Sequence, residues 1–106
     1  MWENLGNMMD VVKKLQQNVD TIQGQLKNER LEITSGDVIK VVINGQQEIL
    51  AIELNAQYLN PESIALLQDL LVATMNNALD KSRELHQTAM NKLAGDLNLP
   101  KIPGLI

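Results

Sequence analysis

The amino-acid sequence predicts an α+β fold in which a long helix, a three-stranded antiparallel meander and a second long helix follow one another. Three observations carry that prediction. Apolar residues recur at heptad spacing from Leu5 to Leu26, the period of a helix that buries one stripe. Apolar runs flank an Asn44-Gly45 dipeptide in VIKVVINGQQEILAIEL, a hairpin signal because a two-residue type I′ turn needs positive φ at both central residues. A third run opens on Asn60-Pro61 and closes on Gly95, the order of residues that starts and stops a helix.

Composition narrows the choices further. A chain of 106 residues is one domain of ordinary size. It has no Phe, and Trp2 and Tyr58 are its only aromatic residues, so aliphatic side chains must fill the core. Without Cys there is no disulfide, thiolate metal site or thiol nucleophile, which fits a reducing compartment. The N-terminus, MWENLGNMMD, lacks the basic and apolar regions of a signal peptide. No window supplies the eighteen or so apolar residues of a membrane span, and a soluble, cytoplasmic protein is expected. The net charge of −4 counts against a generally phosphate-binding surface. Any such surface has to be local.

The first helix is expected from Glu3 to Asn28. Leu5, Val12, Val19 and Leu26 fall at heptad position a, and Met8, Leu15 and Ile22 at d, forming an unbroken seam. That seam can lie on the chain's own domain or in part against a second chain. Gly24 weakens the helix by about 1 kcal/mol relative to Ala. A short strand follows, Glu29 to Thr34, in which Leu31 and Ile33 alternate with polar residues. Ser35, Gly36 and Asp37 turn the chain into the hairpin.

With a type I′ turn at Asn44-Gly45, Ile43 pairs with Gln46, Val41 with Glu48 and Ile39 with Leu50. One face then carries Ile39, Val41, Ile43, Leu50, Ile52 and Leu54 as a core. The other carries Val38, Val42, Ile49 and Ala51 among Lys40, Gln47 and Glu53. Three strands with an apolar face need a covering layer, which the helices supply. Residues Asn55 to Leu59 form a loop with Tyr58 at its base.

In the second helix Asn60 is the N-cap and Pro61 the first helical residue, and Glu62 adds charge that the helix dipole favours. Ile64, Leu67, Leu71, Met75, Ala78, Leu85, Ala89 and Leu93 recur at helical spacing, and Leu66, Leu70 and Val72 broaden the stripe in the first half. Gly95 is expected at C′. The domain organisation is thus 1–95 as one helix–sheet–helix domain and 96–106 as an apolar tail containing Pro100 and Pro103.

Length then bears on assembly. A helix from Asn60 to Gly95 is about 50 Å long, against a diameter of about 35 Å for a compact domain of this size. It must overhang its sheet. Together with the half-apolar second sheet face, this predicts a homodimer with protruding helical arms. The expected interface is Val38, Val42, Ile49, Ala51, Leu67, Leu71 and Met75.

Signals of catalysis are sparse. His86 is the only His and reads as a solvated surface imidazole on the polar part of the second helix; two-His metal motifs are excluded by count. Gly36 and Gly45 lie in turns and open no phosphate-binding loop. The carboxylates are scattered, and Ser35, Ser63 and Ser82 have no nucleophile signature. No enzyme, cofactor, metal or small-molecule substrate is expected. The basic residues fall on helices: Lys13, Lys14, Lys27 and Arg30 on or just past the first, Lys81, Arg83 and Lys92 on the second. Asp10 three and four residues before Lys13 and Lys14, and Asp80 three before Arg83, also fit ordinary helix-surface pairing. Spacing alone leaves both readings open.

The order of these parts, with IKVVINGQQE in the hairpin, DLLVATMNNA in the second helix and GDLNLP near the end, resembles the bacterial YbaB/EbfC family of nucleoid-associated proteins over almost the whole chain. The resemblance implies a helix–three strands–helix fold, a homodimer with helical arms, and binding of double-stranded DNA in the nucleoid with little sequence preference. Members usually carry a glycine-rich loop between the first two strands where this chain has only SGD. The family brings no catalytic or base-reading motif, so the DNA contacts are assigned to the seven basic residues named above. The alternative is a dimeric protein-interaction adaptor or clamp that uses its helical arms and apolar tail.

Overall fold

The computed structural model describes residues 2–96, with side chains from residue 7 onward. The tail expected at 96–106 therefore lies outside the described residues except for Asp96. Helix α1 spans Trp2–Asn28, strand β1 Leu31–Ser35, β2 Ile39–Ile43 and β3 Ile49–Leu54. A short 3-10 turn at Ala56–Tyr58 leads to α2, Ile64–Asp96. The sheet is antiparallel in the order β1-β2-β3, as the alternation predicts.

Helix α2 begins at Ile64, not at the predicted Pro61. The Ser63 N–H donates to Asn60 Oδ1 at 2.9 Å, so Asn60 closes the turn that leads into the helix, and Glu62 falls in that turn and not in the first turn of α2. Pro61 to Ser63 form a turn ahead of the regular helix. At the far end α2 runs through Gly95 to Asp96. Gly95 is thus a helical residue and not C′; a glycine weakens a helix without being obliged to end it.

The hairpin differs from the predicted one. Ile39 pairs with Leu54 and Val41 with Ile52, not with Leu50 and Glu48. The Asn44 N–H donates to Glu48 O at 3.0 Å, closing a three-residue Gly45-Gln46-Gln47 connection with Gln47 at φ 59. A three-residue loop commonly ends on such a left-handed residue. A bulge then sets both Ile49 and Leu50 against the end of β2, which brings Ile49 opposite Ile43 on the inner face. Asn44 and Gly45 serve a different contact. Gly45 N–H donates to Leu26 O at 2.7 Å, and Asn44 Nδ2 donates to Lys27 O at 3.2 Å. Two carbonyls at the end of α1, which have no partner inside the helix, are thereby satisfied. A Cβ on Gly45 would stand 2.8 Å from Leu26 Cδ2 and 2.9 Å from Leu26 O. Glycine is there for close approach.

The core is Val38, Ile39, Val41, Ile43, Leu67 and Ala78, with Leu31, Ile33, Ile49, Tyr58, Leu70, Leu71, Met75 and Leu79 packed against it. Helix α2 lies over β1 and β2. Buried polar groups tie the layers together. Ser82 Oγ donates to Asn44 O at 2.6 Å and accepts from the Gln47 N–H at 2.8 Å. The hydroxyls of Ser35 and Thr74 bond to each other between β1 and α2.

Past the sheet, α2 pairs with α1. Leu26, Leu93 and Ala94 are buried there. Leu26 is bound to Gly45, beside Ser82, whereas Asn18 and Thr21 border Leu93 and Asp96, so the helices run antiparallel. The molecule measures 73 × 23 × 16 Å with a radius of gyration of 19.9 Å, against about 13 Å for a compact chain of similar length. The overhang predicted from helix length is present as a helical arm.

Candidate nucleic-acid interface

The seven predicted cations all lie exposed on the helices or at the end of α1, but they do not form one cluster. Lys27 follows the buried Leu26, and Lys92 precedes the buried Leu93. In antiparallel helices those steps point to opposite flanks of the pair. Lys13 shares the flank of Lys27, fourteen residues away, or about 21 Å along α1. Lys14 points away from α2. Lys92 borders a groove of about 320 Å³ whose otherwise largely apolar lining includes the carboxylates of Glu29 and Asp96.

Two cations are already engaged. Lys81 Nζ stands 3.6 Å from Glu84 Oε2 and Arg83 Nη1 3.4 Å from Asp80 Oδ1. These exposed pairs contribute little to stability, but they offset the positive charge that a phosphate would meet. Lys13, Lys14, Lys27 and Arg30 make no ion pair among the described residues. Lys27, in the last turn of α1, also complements the helix dipole. Lys40, on the outer sheet face, sits 3.5 Å from both Glu32 and Glu53. The Glu32 carboxylate, and then that of Glu53, hold its ammonium above the ordinary lysine value. The sheet therefore offers no free cation, and among the described residues the cations without an ion pair are Lys13, Lys14 and Lys27 on α1, Arg30 just past it and Lys92 on α2.

Two of the predicted interface residues lie in the core of the single chain. Val38 and Leu67 are 7% and 9% exposed within a single chain, so they belong to its own core. Ile49, Leu71 and Met75 pack against that core; the bulge moved Ile49 there. Val42 and Ala51 do pair on the outer face. The large apolar residues left exposed among the described residues are instead Met8, Met9, Val11 and Val12 on α1, Leu50, Ile52 and Leu54 on β3, Leu59, and Ile64, Leu66 and Val72 on α2. Ile52 and Leu54 sit on the inner face yet stay open because α2 covers the neighbouring strands. The breadth of the apolar stripe at Leu66 and Val72 was the sequence signal for this surface; the position of α2 on the sheet left no such trace.

Among the described residues no group of three His, Cys, Asp or Glu side chains could hold a metal, and no helix is long and apolar enough to cross a membrane. The fold and this surface define a class: a small helix–sheet–helix protein with a helical arm bearing exposed cations. The match to known proteins is more specific. Residues 1–97 match the YbaB/EbfC DNA-binding family, and the chain belongs to it. It is 43% identical over 102 residues to a nucleoid-associated protein of Syntrophobacter fumaroxidans, covering 93% of each chain. A nucleoid-associated protein of Pelotomaculum thermopropionicum is 41% identical over 106 residues, 99% of this chain and 98% of that one. A third, from Desulforamulus reducens, is 41% identical over 101 residues, 94% of this chain and 96% of that one.

Proposed function

We propose that this protein binds double-stranded DNA in the bacterial nucleoid as a homodimer, contacting the phosphate backbone with little sequence preference and catalysing no reaction. The observation that carries the proposal is the set of cations without an ion pair among the described residues, Lys13, Lys14 and Lys27 on α1 and Arg30 just past its end, in a member of a DNA-binding family. Phosphate contacts position a protein without reading sequence, and base readout needs side chains delivered into a groove. Here Lys13 and Lys27 share one flank of the helix pair and Lys14 points away from α2, so the cations are spread out and do not converge on one groove-sized site. Exposed Leu50, Ile52, Leu54, Leu66 and Val72 support association of two chains, since contiguous apolar surface favours burial against a partner. A dimer would present two arms and double the number of phosphate contacts.

A gel-shift series on unrelated duplexes at rising salt tests this reading. Affinity should fall steeply with salt, because each neutralised phosphate contributes about −0.9 to the logarithmic slope, and should vary little among sequences. Absence of a complex at low salt would refute DNA binding by this protein.

A further inference from the structure

Asn44 precedes Gly45 in the only Asn-Gly pair of the chain. Such a pair is prone to spontaneous deamidation, because glycine has no Cβ to hinder the approach of its nitrogen to the asparagine side chain. In the fold the pair is enclosed. Asn44 is 1% exposed, and its side-chain amide has both donors and both acceptor positions filled. Nδ2 donates to Glu48 Oε1 at 2.8 Å and to Lys27 O at 3.2 Å. Oδ1 accepts from the N–H of Gln46 at 2.9 Å and from that of Glu48 at 3.1 Å. The Gly45 nitrogen is engaged as well, since its N–H donates to Leu26 O. Gln46 Nε2 adds a bond to Gln23 O. The loop is thus tied to main-chain carbonyls of α1 at Gln23, Leu26 and Lys27.

We propose that Asn44-Gly45 is a latent deamidation site that the docked end of α1 keeps closed. The reaction needs the Gly45 nitrogen, stripped of its proton by solvent base, to attack Asn44 Cγ. A bond forms between that nitrogen and Cγ, the Cγ–Nδ2 bond breaks, and Nδ2 leaves as ammonia after taking a proton from water. Water then opens the cyclic imide at either carbonyl, leaving aspartate or isoaspartate. Nothing is oxidised or reduced, and water is the only co-reactant. In the docked state Cγ cannot turn toward the Gly45 nitrogen without breaking the side-chain bonds, and the proton to be lost is held by Leu26 O. Release of the end of α1 frees both groups together.

The product does not allow a return. A carboxylate at position 44 still accepts from the amides of Gln46 and Glu48, so the loop keeps its shape. It has no proton to donate, and its oxygen would face Lys27 O, fixed in the last turn of α1, where an N–H now stands. The exposed Glu48 can swing away, but a charge left in this buried position is costly. Isoaspartate adds a methylene to the main chain and moves the Gly45 N–H off Leu26 O. A single opening of α1 is therefore recorded as a permanent loss of its tie to the hairpin. The chemistry depends on how α1 is docked and not on what α1 binds.

The test is to age the full-length protein at neutral pH beside a synthetic peptide spanning Val41 to Ile49, and to follow position 44 by peptide mass spectrometry. Asn44 should be lost at least about a hundredfold more slowly in the protein, in proportion to the population of the locally opened state. Leu26→Ala, which loosens the end of α1, should speed the loss by about tenfold or more. Leu93→Ala, which loosens α1 from the side of α2, should act in the same direction. Slow amide exchange in β2 shows that a variant is folded. Equal rates in peptide and protein would refute the closed site, and folded variants that deamidate no faster than the parent would refute its control by α1. Asn44→Asp reproduces one product directly. Its amide exchange at residues 23–28 should speed by about tenfold or more with β2 unchanged; unaltered exchange there would overturn the one-way step.

Discussion

Gly45 and Tyr58 show how single residues hold this fold. Gly45→Ala would push a methyl group against the backbone oxygen and side chain of Leu26, and overpacking of this kind costs about 1–3 kcal/mol. Urea unfolding should show that loss; an unchanged midpoint would mean that the hairpin loop does not pin α1. Tyr58 donates its hydroxyl to Asp37 Oδ1 at 3.1 Å. That hydrogen bond, and then the carboxylate charge, push the phenol above its ordinary value. Ionisation removes the donated proton, so the contribution to stability is present below the ordinary tyrosine range and is lost as pH rises through the raised folded value. Asp37→Ala should move the tyrosinate absorbance transition of this single Tyr to lower pH. A transition that stays in place would show that the bond does not persist in solution.

The helices differ in how free their charges are. Lys13 and Lys14 of α1 have no carboxylate partner among the described residues, while Lys81 and Arg83 of α2 face Glu84 and Asp80. Neutralising Lys13 and Lys14 together with Gln should weaken DNA binding and reduce the salt slope by up to about two. The same change at Lys81 and Arg83 should have a smaller effect, because each phosphate contact there must displace a local ion pair. Equal losses from the two double variants, measured by salt-dependent titration, would contradict this ordering. Among the elements themselves, the helical period placed α1 and α2 from sequence, with α2 starting at Ile64 and not at Pro61, and alternation placed all three strands. The hairpin register was not legible. Asn44-Gly45 has the composition of a type I′ turn, but its amide groups are drawn to the end of α1, contacts that lie 17 or more residues away in sequence. Gln47 takes up the left-handed conformation instead.

At the scale of the whole molecule, the exposed apolar surface argues for a second chain. Ile52→Asp with Leu66→Asp places charges at two exposed positions, so the monomer fold should survive while self-association is lost. Sedimentation equilibrium at micromolar concentration should find dimers for the parent and monomers for the variant; a monomeric parent would refute the homodimer. The sequence by itself determined the element order, the long overhanging helix, the apolar seam and the absence of thiol chemistry, since all of these follow from local period, length and composition. Only the tertiary structure decided which apolar residues are spent inside the chain. Helix α2 settles over β1 and β2, so Val38 and Leu67 are enclosed, while Ile52 and Leu54 stay open on the same face as the core. It also decided which cations remain available, because the flanks of an antiparallel pair depend on which helix faces which. Periodicity identifies the stripe that must be buried; the packing partner determines where that burial stops.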